Sequence, residues 1–193
     1  VGYYKNGPKI ALEGCLRNFP SKMFSEAKKF ENMRSIANKK LLNMLRSKGL
    51  HITQYIQWFE DNDLFRGMGT KVIGTFCSYL AYRSKIISLT KYIVGFMKVL
   101  PEIPNLGKLP RNLVKFSVRV PKRLQRMIDD NKKPPASEVA KDAAFKFEGF
   151  ADGHAYAASG IIPEDKKVSL IEERNKLVSH WSECRKSSIT DFL

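Results

Sequence analysis

The sequence predicts an α+β (α/β-like) protein: a small mixed β-sheet of about four or five strands, flanked by helices and preceded by a helical N-terminal segment. Three observations predict this class. Apolar residues alternate over 114–120 as in a strand, apolar stripes with helical spacing occur before and after that run, and residues 92–99 form a short β-branched and aromatic run typical of a central strand. Helices and strands interleaved in this order are not expected of an all-helical bundle.

The composition allows a hydrophobic core and gives the chain a large positive charge. It has 193 residues, of which 43% are apolar, and 34 Lys and Arg against 19 Asp and Glu. Residues 1–50 contain 11 basic and 3 acidic residues, and residues 105–150 contain 11 and 5, so two cationic zones flank a nearly neutral middle. Such clustering suits a phosphate backbone or an acidic protein partner, and lysines that only solvate helices are the alternative.

The first half of the chain has two helical patterns with a strand pattern between them. Apolar residues at helical spacings over 22–48 predict one broken helix or two shorter ones, which Gly49 ends. The run from Ile52 to Phe59 predicts a strand, followed by a polar loop at 60–63. Apolar residues over 69–82 repeat as the buried stripe of one helix.

The second half begins with the clearest strand pattern. Val114, Phe116, Val118 and Val120 predict a core face, while Lys115, Ser117 and Arg119 predict a cationic second face. Residues 134–138 read as a turn into a helix, and a strongly amphipathic last helix covers 170–181. We expect a basic helical segment, 1–50, and an α/β domain, 51–193, packed as one unit.

Several features limit the cellular context. No stretch is long and apolar enough for a membrane span, and the start lacks the apolar core of a signal peptide, so we expect an intracellular, cytoplasmic protein without membrane contact. Cys15, Cys77 and Cys184 are far apart and odd in number, which favours reduced structural thiols over disulfides or a metal knuckle.

Three segments, in order, carry a family resemblance. The segment at 150–163 (FADGHAYAASGIIP) resembles the Gly-Gly-His-x-x-Ala-Ala-Gly signature of the DHH-associated C-terminal domain in RecJ-like phosphoesterases. Residues 69–80 (GTKVIGTFCSYL) resemble the Val-Gly-Thr helix that opens this region in archaeal members, and residues 114–119 (VKFSVR) resemble their Val-Lys-x-Ser-x-Arg strand. The resemblance covers about residues 52–183. Asp152 departs from it, standing where the family has its first Gly, and Ser159 stands where a later Gly usually lies.

The Gly153-His154 step has a physical reading beside the resemblance. A glycine turn followed by small residues suits the start of a helix, whose free N–H groups attract anions. A carboxylate at Asp152 should weaken phosphate binding there. His154 contacts phosphate or sugar in this interpretation, and a capping or core histidine is the alternative.

The chain lacks the residues for two-metal hydrolysis. RecJ-like nucleases carry that chemistry on a separate domain rich in Asp and His. Here His51, His154 and His180 are isolated from one another, and the acidic cluster at 60–63 reads as a polar turn. We therefore expect no catalytic residue, no metal and no cofactor.

The residues predicted to bind nucleic acid are basic side chains together with Gly153 and His154 of the signature segment. A solvated face is the alternative for the basic members, and Trp58, Phe59, Tyr79 and Tyr82 are either stacking platforms or core. The predicted set is Lys115, Arg119, Lys122, Arg123, Arg126, Gly153 and His154.

The resemblance implies a function. Archaea use RecJ-like proteins, including shortened inactive ones, as partners of the GINS complex and the MCM helicase in CMG-type assemblies. It therefore implies a nucleoid-associated, non-catalytic replication factor that contacts single-stranded or fork DNA. Two alternatives stay open: the C-terminal part of a RecJ-like single-strand exonuclease, and an adaptor whose basic surface meets only an acidic protein.

Overall fold

A computed structural model describes residues 7–16, 21–83, 85–103 and 107–190 of the chain. The described residues form six α-helices, one short 3-10 helix and eight strands. In chain order these are α1 (Gly7–Leu16), α2 (Ser21–Lys48), β1 (His51–Ile52), β2 (Ile56–Glu60), α3 (Lys71–Arg83), β3 (Tyr92–Lys98), β4 (Glu102–Ile103), β5 (Gly107–Lys108), β6 (Leu113–Arg119), α4 (Lys122–Asp129), α5 (Ala136–Lys146), β7 (Phe150–Gly153), β8 (Ala157–Pro163), the 3-10 helix (Glu164–Lys166) and α6 (Lys167–Thr190).

Six strands form one mixed sheet in the order β1-β2-β3-β6-β8-β7. The pair β2 and β3 is parallel and every other pair in this sheet is antiparallel. The small strands β4 and β5 form a separate antiparallel pair. The predicted α+β class is therefore confirmed, with one strand more in the sheet than expected.

Helices cover the sheet on both sides. On one side α4, α5 and α6 bury a cluster that includes Phe96, Phe116 and Ile162 from the sheet. On the other side α2 and α3 bury a second cluster that includes Phe59 and Ile93. Since successive strand residues point to opposite faces, β3 supplies both clusters and is buried from Tyr92 to Met97, as its sequence predicted for a central strand.

The helix α2 is continuous over 28 residues, so the expectation of a broken helix or two shorter ones is wrong. Its second half is anchored because Ala37, Leu41 and Leu45 are buried against α3 and the sheet. Gly49 ends the helix as predicted, with φ at +75° and its N–H donating to Leu45 O over 2.9 Å. The division at residue 50 stays a prediction. Residues 1–6 and 17–20 of the N-terminal cationic zone lie outside the described part.

Two other predicted helices have the expected buried faces. The bounds of α3 are close to those predicted, whereas α6 extends beyond the predicted 170–181 at both ends. Helix α3 buries Val72, Ile73, Phe76, Cys77, Leu80 and Ala81, the stripe that its sequence predicted. Helix α6 buries Leu170, Ile171, Arg174 and Val178. The run predicted as one strand at 52–59 is instead divided between β1 and β2, because Asn175 Oδ1 holds the intervening turn by accepting from Thr53 Oγ1 and Tyr55 N.

The helix start expected at Gly153 and His154 is not found. These residues lie in and just after β7, which turns through 154–156 into β8, so the segment is a β-hairpin. The physical reason is close packing on β6: a Cβ at Gly160 would lie 2.6 Å from Phe116 Cε1. Small residues here let a strand approach its neighbour, and they do not begin a helix whose N-terminus could bind an anion.

The second face of β6 differs from the cationic, solvent-facing surface that the alternation predicted. The core face is as expected, with Val114, Phe116 and Val118 buried. On the other face Ser117 is buried as well, because α3 packs over β6. Lys115 and Arg119, also on that face, are only partly exposed.

Candidate nucleic-acid interface

The sheet has one face that extends past its covering helix. Helix α3 packs on β3 and β6, and the neighbouring strands β8 and β7 continue beyond it. Exposure marks this edge, since Phe150 is 74% exposed and the Asp152 side chain 67%. We call this region the open sheet face; its residues are Lys115, Arg119, Phe150, Asp152, Ala157, Ser159 and Ile161.

Strand register aligns these residues in rows across three strands. Lys115 on β6 lies opposite Ile161 on β8, which in turn lies opposite Phe150 on β7. Arg119 lies opposite Ala157, next to the hairpin turn. Because residues opposite each other in antiparallel strands share a face, a basic and an aromatic side chain stand in one row on an uncovered surface.

Lys115 sits at the border between α3 and the open sheet face. Its Nζ donates to Ser159 Oγ over 3.1 Å. Burial lowers the pKa of Lys115, and the nearby charge of Arg119 lowers it further. Among the described residues no carboxylate lies within salt-bridge distance of either side chain. An incoming anion would therefore relieve two neighbouring positive charges.

Arg119 joins α3 to the sheet. Its Nε donates to Ser78 Oγ on α3 over 2.9 Å, and its Nη1 donates to Val118 O and Ala158 O over 2.8 and 3.1 Å. The guanidinium passes against Gly74 so closely that a Cβ there would lie 2.8 Å from Nη2. Part of this arginine is therefore structural, and only the part that remains solvent-accessible can meet a ligand.

In the turn at Gly153 and His154, the Asp152 carboxylate takes the position that an anion would need. Gly153 N donates to Asp152 Oδ1 over 2.8 Å, and Lys141 Nζ lies 3.2 Å from the same oxygen. The Gly153 N–H, and then the charge of Lys141, hold the pKa of Asp152 below its usual range. His154 is exposed in the turn, and its N–H donates to Ala157 O over 2.8 Å. Neither of these two N–H groups is free for a phosphate.

The remaining predicted basic residues lie on α4. Lys122, Arg123 and Arg126 are all exposed, while Leu124 and Ile128 anchor the helix in the α5 and α6 cluster. Helix α4 begins directly after β6 and contacts the end of α3 through Gln125 Nε2, which donates to Tyr82 OH over 2.9 Å. The structure thus brings Lys115 and Arg119 onto one face with Asp152, whereas Gly153 lies opposite Ala158 on the other face of the sheet. The α4 cations follow the end of β6.

Sequence reasoning missed Phe150. A phenylalanine in a strand is usually a core residue, and only the pairing of β7 at the sheet edge exposes it. The four aromatic residues predicted to be either stacking platforms or core differ in exposure. Phe59 is buried, Trp58 is half-buried and stacks on His51 with ring centroids 4.2 Å apart, and Tyr79 and Tyr82 are 42% and 61% exposed.

The described residues do not form a metal centre. No group of three or more His, Cys, Asp or Glu side chains within them is arranged to hold a metal ion. In the acidic loop Asp61 is buried, accepts from Phe65 N over 3.0 Å and has a pKa raised by burial, as in a polar turn.

Within the same described residues, no helix combines the length and apolarity needed to cross a membrane.

Comparison with known proteins gives structural similarities that include two weak ones. No protein-family model matches the sequence, and no curated protein matches it. The C-Ala domain of the Aquifex aeolicus alanyl-tRNA synthetase aligns with a TM-score of 0.41 and 17% identity, over 65% of this chain and 89% of that domain. The pGpG-specific phosphodiesterase PggH from Vibrio cholerae aligns with a TM-score of 0.38 and 8% identity, over 85% of this chain and 44% of the enzyme. Similarities this low do not support an inference about function.

Proposed function

We propose that this chain is a nucleic-acid-binding domain that holds a single strand on the open sheet face. One observation carries the proposal: Phe150 on β7 is exposed in the same row as Lys115 on β6, and Arg119 lies farther along β6. Bases of any sequence can stack on an exposed aromatic ring, and cations beside it neutralise the backbone. A duplex, whose bases are already stacked, would gain nothing from Phe150.

The spacing of the two cations suits an extended strand. Lys115 and Arg119 are four residues apart on β6, which is ~13 Å at the rise of an antiparallel strand. They therefore contact different phosphates of the same backbone. The exposed cations Lys122, Arg123 and Arg126 lie on α4, which begins three residues after Arg119, and they add positive charge beyond that end of β6.

The cellular role is proposed from the RecJ-like resemblance. In this role the chain is a non-catalytic DNA replication factor that binds the GINS complex and the MCM helicase beside single-stranded or fork DNA. The exposed cations of α4 and the exposed ring of Phe150 support a binding role for this domain. Purified GINS and MCM should co-elute with the chain, and degradation of single-stranded DNA with manganese would contradict a non-catalytic role.

The decisive experiment is fluorescence anisotropy of a labelled oligothymidylate over a range of salt concentrations. If all five predicted cations neutralise phosphates, the log-log slope should reach about −3.5, at ~0.7 per phosphate for a single strand. Lys115→Gln should reduce that slope by about 0.7. Exposed Lys176 on α6 is the matched control, since Lys176→Gln lies outside the proposed surface.

A second pair of variants tests stacking. Phe150→Ser should weaken binding by about 1–3 kcal/mol, the usual contribution of one stacked base. Phe145→Ser is the matched control because Phe145, on α5, is 84% exposed. A slope near zero, or equal binding by the two phenylalanine variants, would refute the proposed surface.

A further inference from the structure

The N-terminal half of α2 carries a second surface, away from the open sheet face. Among the residues of this helix whose burial is described, Ala37 is the first that is buried, and several apolar residues before it are exposed. Met33 is 47% exposed and Ile36 55%. Both lie between two exposed lysines, Lys29 and Lys40.

These four residues form one line along the helix. Their separations of four, three and four residues place them on the same side of an α-helix. We call Lys29, Met33, Ile36 and Lys40 the α2 stripe. It has an apolar centre and a positive charge at each end, which is the pattern of one side of a helix-helix interface.

The stripe and its surroundings are short of negative charge. Helix α2 contains eight Lys and Arg and two Glu, and neither glutamate belongs to the stripe. Glu26 pairs with Lys29 over 2.8 Å, but both side chains are exposed, so this pair is weak and can be exchanged. We propose that the α2 stripe docks an acidic amphipathic helix of a partner protein, whose apolar residues cover Met33 and Ile36 and whose carboxylates meet the two lysines.

A second copy of this chain is a poorer occupant. A two-fold antiparallel pairing would place Lys29 opposite Lys40, and a parallel pairing would place each lysine opposite its own copy. Like charges then face each other at both ends of a small apolar patch. A nucleic acid also fits less well, because the centre of the stripe is aliphatic and offers no ring on which a base could stack.

The test uses the full chain and a synthetic peptide of about 21 residues, long enough to form a helix, with Leu at the a and d positions and Glu at e and g. Binding is measured by anisotropy of the labelled peptide, and helicity of each variant by circular dichroism. K29E/K40E should weaken binding at least ~10-fold, because it reverses both charges. M33S/I36S should do the same, because it removes the apolar centre.

The chain supplies a matched control. K28E/K39E makes the same charge change, at the same separation of eleven residues, on a neighbouring side of the same helix where both lysines are exposed. It should weaken peptide binding by less than about threefold, since only long-range attraction is lost. A peptide with Lys in place of Glu should not bind.

Four results would overturn the proposal. These are no binding of the acidic peptide, equal weakening by the two charge-reversal variants, self-association of the parent chain in sedimentation that M33S/I36S abolishes, and loss of oligothymidylate binding in K29E/K40E with peptide binding retained. The third result would assign the stripe to a second copy, and the fourth to nucleic acid.

Discussion

Arg119 should contribute to the stability of the fold in addition to its proposed contact with a phosphate. Arg119→Met removes three hydrogen bonds, two of which join β6 to α3 and to β8, while the third is to the neighbouring Val118 O. At roughly 0.5–1.5 kcal/mol for each bond, and with competition from water at this half-exposed site, the loss should be about 1–3 kcal/mol. Met keeps much of the aliphatic volume, so the change tests the guanidinium and not the packing of the stem.

The measurement is urea denaturation followed by circular dichroism. A loss of about 2 kcal/mol, with m near 2 kcal/mol/M, lowers the midpoint by about 1 M. Lys122→Met is the control, because Lys122 is exposed three residues later and should cost less than about 0.5 kcal/mol. Arg119→Lys should fall close to Arg119→Met, since an ammonium cannot make the same three contacts. Equal midpoints for Arg119→Met and Lys122→Met would refute the structural role.

Three other predictions concern the hairpin and two buried groups. Gly153→Ala should destabilise the fold by about 2 kcal/mol or more, because its Cβ would lie 2.4 Å from Ala157 O, a backbone atom that cannot move freely; an unchanged melting temperature would contradict this. Burial raises the pKa of Cys77 to about 12, so peptide mapping after thiol labelling at pH 8 should find exposed Cys15 modified and Cys77 protected until denaturation. Burial also raises the pKa of Asp61, so the folded state binds the proton of this carboxyl more tightly than the unfolded state does. The free energy of unfolding of the parent, relative to that of Asp61→Asn, should therefore fall as pH rises through the range in which carboxyls titrate. A difference between the two proteins that does not change with pH would contradict a raised pKa.

The two proposed surfaces assign nucleic-acid binding and acidic-protein binding to different parts of the molecule, which the net charge alone could not do. The open sheet face combines cations with an aromatic ring, while the α2 stripe combines cations with aliphatic side chains. Nucleic acid and acidic protein are both attracted to positive charge, so charge alone could not distinguish them. The neutral residues between the cations make that distinction, and the two sets of variants test each surface separately.

Local patterns decided most of the secondary structure. Alternation over 114–120 and the stripe over 72–81 each have a period that only one element can satisfy, and both elements formed as predicted. The buried run of β3 was predictable for the same reason. At residues 150–160 the pattern was ambiguous, because glycine and alanine permit either a helix start or a closely packed strand. Pairing of β8 with β6 resolved it in favour of the hairpin.

The amino-acid sequence by itself determined the α+β class, the two cationic zones and the buried faces of α3, β6 and α6, since charge and hydrophobic period are properties of neighbouring residues. Tertiary structure alone decided which polar residues meet solvent. Because α3 packs on β6, Arg119 forms a hydrogen bond to α3 and Lys115 is half-buried. Phe150 is exposed because β7 lies at the edge of the sheet. Exposure depends on which distant segment covers a face, and no local spacing records that.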